Sequence, residues 1–207
     1  YLFIIFTFIG AMYPGLDLGA GEKERGTMET ILSSPASRLD IVLGKFGVIL
    51  TAGISTALIS FASLNISVHL FPEIPIDVLE IISSMLGLKM VALILTLIIP
   101  IAVFFSAAIL TLSIYARSFK EAQSIVTPLN IVIIIPAAIG MMPGMELNTI
   151  TALVPILNVS LATKEMLSGS IDWFLLTEVY SSLFVLAGLS LWFCVKWFNR
   201  EDIIFRY

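Results

Sequence analysis

The chain alternates long apolar runs with short polar breaks, and the length of the runs sets the class of structure. A run of roughly 20 apolar residues is long enough to cross a hydrocarbon core of about 30 Å as a helix. Five such runs are present, at about 1–13, 41–66, 90–115, 125–142 and 173–197, the first being the shortest. The pattern predicts an all-α, polytopic membrane protein with about five spanning helices.

The breaks differ in kind. Residues 21–45, "GEKERGTMETILSSPASRLDIVLGK", form the one densely charged passage. At 100° per residue Met28, Ile31 and Leu32 fall on one arc and Glu22, Lys23, Gly26, Thr27, Glu29, Thr30 and Ser33 on the other, which predicts an amphipathic helix of about four turns. Glu24 is the misfit on the apolar side. Pro35 ends the segment, and Ser37 and Asp40 have the spacing of a capping box for the next spanning helix. The chain is therefore expected to leave the membrane, lie along one face over residues 18–37 and re-enter.

A second long break, residues 143–172, carries an apolar stretch broken by Pro155 and a helical pattern Val159, Ala162, Met166 that closes at Gly169. It predicts one or two short helices lying in, or dipping into, the outer leaflet. Ser170 and Asp172 offer caps before Trp173, an interfacial anchor. Pro100, Pro128 and Pro136 lie inside spans and predict kinks. The run holding Pro128 and Pro136 also holds Thr127 and Asn130, so it either lines a cavity or is an ordinary packed kink.

Composition agrees: 58% of the residues are hydrophobic and 13% charged, which excludes an ordinary soluble domain. The net charge of -4 comes from scattered acids, and no basic patch is interleaved with aromatics, so no nucleic-acid partner is expected. Lysine and arginine placement orients the chain. With residues 21–45 inside, Lys23, Arg25, Arg38, Lys45, Arg117, Lys120, Lys196, Arg200 and Arg206 are inside, against Lys89 and Lys164 outside, nine against two. The outer connections lean acidic, with Glu73, Asp77 and Glu80 in the first. The charged passage and the C-terminus are thus expected to be cytoplasmic. Because Tyr1 opens the chain within an apolar stretch, without an initiator Met, the chain reads as part of a longer protein.

Catalytic chemistry is not in evidence. The Gly44-Lys45 pair lacks the preceding glycine and following hydroxyl of a P-loop, so ATP binding by that motif is excluded. His69 is the only histidine, which excludes a two-histidine zinc motif and reads as an interfacial residue; there is no Gly-x-Ser-x-Gly elbow and no mid-span acid pair. No catalytic or metal-ligating residue is expected. Cys194, the only cysteine, reads as packing material, and the glycosylation-type triplets at Asn65 and Asn158 as chance matches. Polar residues within the spans are the candidates for a substrate path: Asn65, Thr127, Asn130 and Glu178, the last about 7 Å below Trp173. Lys89 is a candidate partner for Glu178. Asn65, Thr127 and Asn130 each also read as a local packing hydrogen bond, and Glu178 as a snorkelling residue.

The charged passage likewise has two readings, a solvated interfacial helix or a docking face. Glu22, Arg25 and Glu29 alternate in sign one turn apart, which suits a protein partner better than anionic lipid. Gly26 allows close approach.

With Ala20 included, this passage resembles the cytoplasmic coupling segment of type 2 ABC exporter permeases, most of all the NatB-type sodium-efflux permeases. "ARSFKEAQSIVTPLN" (116–130), "PGMELN" (143–148), "LVPILNVSLATKEMLSG" (153–169) and "FNREDIIFR" (198–206) agree in order. The resemblance implies a family fold of six spanning helices with a large extracellular domain between the first two. This chain would be the C-terminal part, beginning within the second. It further implies that Glu22, Glu24, Arg25, Gly26, Thr27 and Glu29 face a separate ABC ATPase subunit, which carries the ATP and Mg. This chain itself would bind no cofactor. The expected setting is a prokaryotic cytoplasmic membrane, with a lipid bilayer around the chain and a second permease copy completing a homodimer. Sodium efflux is the implied function; export of a drug, peptide or lipid is the alternative, and a non-transporting membrane scaffold the second alternative.

Overall fold

In the computed structural model residues 1–70, 87–170 and 172–200 are described, and among them the chain is helical with no strand. The expectations for Glu73, Asp77, Glu80, Arg206 and the end of "FNREDIIFR" lie outside the described residues, as do those for the side chains of His69 and Lys89. The first helix, α1 (Leu2–Leu16), continues through a π-helical turn (Asp17–Gly21) into α2 (Glu22–Glu24). Next come α3 (Thr27–Leu32), α4 (Arg38–Leu70), α5 (Leu88–Tyr115), α6 (Phe119–Ile139), α7 (Thr149–Ala152), α8 (Leu157–Ser168) and α9 (Trp173–Phe198). Among the described residues, five helical runs are long and apolar enough to span a bilayer, Leu2–Glu24, Arg38–Val68, Met90–Tyr115, Phe119–Ile139 and Trp173–Phe198. The protein is a polytopic α-helical membrane protein.

The most apolar run, α5, is the hub. Of its most apolar stretch 61% is buried, against 22% for α4, α6 and α9, and it packs on α1, α4, α6 and α9. A helix that is apolar all round has no face to offer water, so the interior is its place. Leu97, Ile101, Phe105, Ile109 and Ile114 of α5 meet Phe8 and Leu16 of α1 and Ile49 of α4 in one core. The outer helices leave Ile131, Val132 and Ile135 of α6 and Val185, Leu189 and Trp192 of α9 exposed, as a hydrocarbon solvent permits. Between α1 and α4 the backbones come close: a Cβ at Gly53 would lie 3.0 Å from the Thr7 carbonyl oxygen.

Three boundaries depart from the hydropathy pattern. The first span runs to Glu24 rather than ending near Tyr13, with Pro14 inside it. The fourth begins at Phe119, because the Ser118 hydroxyl accepts from the Glu121 N–H at 3.2 Å and caps a first turn too polar to register as apolar. The charged passage is not one helix of four turns. Gly26, in the left-handed region at φ 69°, separates α2 from the six residues of α3.

On the other side of the molecule α8 dips into the bundle. Leu157, Asn158, Val159, Ser160, Leu161, Ala162 and Met166 are all buried, and α8 packs on α5, α6 and α9. Its polar residues are matched: Asn158 donates to the Ala152 carbonyl and the Ser182 hydroxyl, both at 2.9 Å, and Ser160 donates to the Ala137 carbonyl at 2.9 Å. Gly169 closes α8 at φ 74°, and Asp172 caps α9 by accepting from the Phe174 N–H at 2.8 Å. Ile156, just before α8, is held at φ 73°, a strained position for a β-branched residue.

Candidate functional site

The charged passage is shaped first by its π turn. One extra residue per turn takes backbone groups out of register, and Ser113 of α5 answers them. Its hydroxyl accepts from the Ala20 N–H at 2.9 Å and donates to the Leu16 carbonyl at 3.1 Å. Gly19 makes room, since a Cβ there would collide with the Ser113 hydroxyl. The extra residue also rotates the side chains after it by about 100° around the helix axis. Glu22 and Lys23 consequently face inward.

Three successive side chains then grip three elements. Glu22, 8% exposed, accepts from Lys45 of α4, whose ammonium also donates to the Leu18 carbonyl at 2.6 Å. Lys23, 4% exposed, donates to the carbonyl of Ile114 and, at 3.4 Å, to that of Ala116, at the C-terminal end of α5. Glu24 accepts from the Phe119 N–H at 2.7 Å, at the N-terminal end of α6. A cation at a helix C-terminus and an anion at an N-terminus each match the helix dipole.

Beyond Glu24 the passage turns outward. Arg25 donates to and pairs with Asp17 at 2.7 Å, both half-exposed, and its hydrogen bond to that carboxylate raises the guanidinium pKa above its ordinary value. Thr27 donates to the Glu22 carbonyl at 3.2 Å, while buried Met28 anchors α3. Of the six residues expected to face a partner, Glu24, Arg25, Gly26, Thr27 and Glu29 are exposed together, and Glu22 alone is buried. Asp17, Lys23, Lys45 and Ser113 complete the arrangement without having been singled out by pattern. For Lys45 a signal existed: a lone cation among "VLGKFGV" must find an acid if it faces the interior.

The four candidates for a substrate path are not gathered. On α6, exposed Thr127 donates to the Gln123 carbonyl at 2.7 Å and Asn130 to the Thr127 carbonyl at 3.2 Å. Asn65 is half-buried on α4, and α6 packs chiefly on α1, α5 and α8. Glu178 is half-buried on α9, and its Oε2 is buried without a hydrogen-bond partner among the described residues. No group of three or more His, Cys, Asp or Glu able to hold a metal occurs among the described residues. None of the four lines the large cavity, about 710 Å³, walled by Phe8, Phe105, Ile133, Pro155, Leu189 and Trp192 with Thr111 and Ser190 as its polar residues.

The family comparison covers the passage and the bundle alike: the description "ABC-2 family transporter protein" matches residues 1–203. The chain belongs to the ABC-2 transporter family. Among members it is similar to the ABC transporter permease protein NatB of Bacillus subtilis (strain 168), with 29% identity over 171 residues, 79% of this chain and 42% of the relative. The chain thus spans less than half the length of that relative. No solved structure matches it.

Proposed function

We propose that this ABC-2 chain belongs to the membrane-spanning permease of an ATP-driven exporter, and that its charged passage is where a separate ABC ATPase subunit docks. The supporting observation is the exposed strip Glu24, Arg25, Gly26, Thr27 and Glu29, carried on a segment bonded to α4, α5 and α6 at once. Transport requires the ATPase cycle and the membrane helices to share a free-energy difference, which only an element with differential contacts in both can supply. In this reading ATP and Mg belong to the partner, and Glu22 acts from beneath the strip by fixing its base. Lysine and arginine asymmetry supports a cytoplasmic strip, and the exposed apolar faces of α6 and α9 are compatible with a second permease copy.

Sodium is the first candidate substrate, on the likeness to NatB-type permeases, with Glu178 as its candidate contact. A second reading, export of an amphiphile such as a lipid or drug, is favoured by the apolar cavity, whose about 710 Å³ falls in the range of drug-sized sites. The decisive experiment expresses the full-length permease with its ATPase and introduces Arg25→Glu. Co-purification of the ATPase should fall by about tenfold or more, as expected when a charge at an interface is reversed. Normal co-purification with normal substrate-stimulated ATP hydrolysis would leave the strip merely solvated. Stimulation by sodium in a lipid-independent manner, against stimulation by added amphiphile, separates the two substrates.

A further inference from the structure

We infer that Lys23 and Glu24 are positioning residues that carry displacement of the docking strip into the corner between α5 and α6, so that both helices move with the strip. The inference rests on the ATPase docking proposed above. The corner is three residues long, 116–118, and its backbone is extended at both ends, with ψ 154° at Ala116 and φ -138° at Ser118. A chain this short and extended has little slack to absorb a shift of either end. Its local bonds are made by Glu121, which accepts from the Arg117 N–H at 2.8 Å, and by Ser118. Its bonds to the docking passage are made by Lys23, through the carbonyls of Ile114 and Ala116, and by Glu24, through the Phe119 N–H. The two side chains are adjacent on α2, and Glu24 immediately precedes Arg25. A displacement of the strip at Arg25 therefore meets the end of α5 and the start of α6 through side chains no more than two residues away.

Glu24 offers a clean separation of this role from direct attraction to the ATPase. Glu24→Gln keeps an oxygen to accept from the Phe119 N–H and removes the charge; Glu24→Leu removes both. In the full-length permease with its ATPase, Lys23→Met, buried beneath the strip and not part of it, should co-purify the ATPase at the wild-type ratio, and the stimulation is read in it and in Glu24→Leu. Substrate-stimulated ATP hydrolysis should fall by about tenfold, the factor a lost charge-assisted hydrogen bond supplies. Glu24→Gln should retain most of the stimulation. If Glu24→Gln behaves as Glu24→Leu and both lose the ATPase, Glu24 is a charge on the partner and the inference is overturned. Full stimulation in Glu24→Leu overturns it as well. A wild-type permease that binds no ATPase sinks the docking reading instead, a result visible before any variant is made. Should Glu24→Leu fail to fold, spin labels at Thr30 and Gln123 supply the second readout: their separation should stay constant between ATP-free and ATP-bound wild type and change in Lys23→Met. A wild-type separation that changes on ATP binding refutes the rigid link.

Discussion

Lys45 and Glu22, 23 residues apart in sequence, meet as an ion pair inside the bundle, tying the start of the second spanning helix to the end of the first. Their side chains are 6% and 11% exposed, so each charge is tolerable only because the other is there. The charged passage closes a loop whose two ends are fastened to each other.

That pairing predicts a specific pattern of stability. Lys45→Met leaves Glu22 buried without its cation and should cost about 3–5 kcal/mol. The double variant Glu22→Leu with Lys45→Met removes both charges and should return close to wild type, because a well-packed apolar pair replaces a buried ion pair at little cost. Thermal unfolding in detergent reads both. A double variant as unstable as Lys45→Met would show that the pair is not the source of the effect.

How much of this was legible in the sequence depends on what one-dimensional patterns encode. The spanning helices were legible because length and hydrophobicity suffice, and even the dipping α8 announced itself through Val159, Ala162, Met166 and the closing Gly169. The π turn was not, because a helical wheel assumes 3.6 residues per turn and one inserted residue leaves no trace in composition. The wheel therefore puts Glu22 and Lys23 outside, where the structure buries them. Glu24 was the wheel's misfit, and its placement is explained by the Phe119 N–H, a group contributed from 95 residues away. The exposed residues Thr27 and Glu29 lie past Gly26, where the pattern and the structure agree.

The π turn should itself be testable as a coupled pair. Gly19→Ala drives a Cβ into Ser113 and should destabilise by about 1–3 kcal/mol. Ser113→Gly removes the hydroxyl that serves Ala20 and Leu16, at a similar cost of about 1–3 kcal/mol. Combined, the two should cost less than their sum by about 0.5–3 kcal/mol, since the second substitution relieves the collision of the first. Strict additivity in equilibrium unfolding would mean that the two residues do not meet.

The orientation proposed from charge placement can be read chemically. Thr30 and Asn148 are both exposed, and Cys194, buried at 0% exposure, supplies a silent background. In intact cells Thr30→Cys should resist an impermeant thiol reagent added outside and Asn148→Cys should react. Labelling of Thr30→Cys alone would invert the topology.

Glu178 separates a substrate contact from a structural residue. Its Oε2 is buried within a spanning helix and has no hydrogen-bond partner among the described residues, an arrangement that packing alone does not reward. A carboxylate kept at such a cost is expected where it meets something that comes and goes. Glu178→Gln preserves the shape and removes the charge. If sodium is the substrate, as proposed above, its efflux should fall by about tenfold, equivalent to about 1.4 kcal/mol, with membrane abundance unchanged. Glu178→Leu goes further. By removing the unpartnered oxygen it should hold or raise the thermal stability in detergent while abolishing efflux, the signature of a residue retained for function against stability. A stability loss in Glu178→Leu with normal efflux in Glu178→Gln would make Glu178 a packing residue and leave sodium without a contact on this helix.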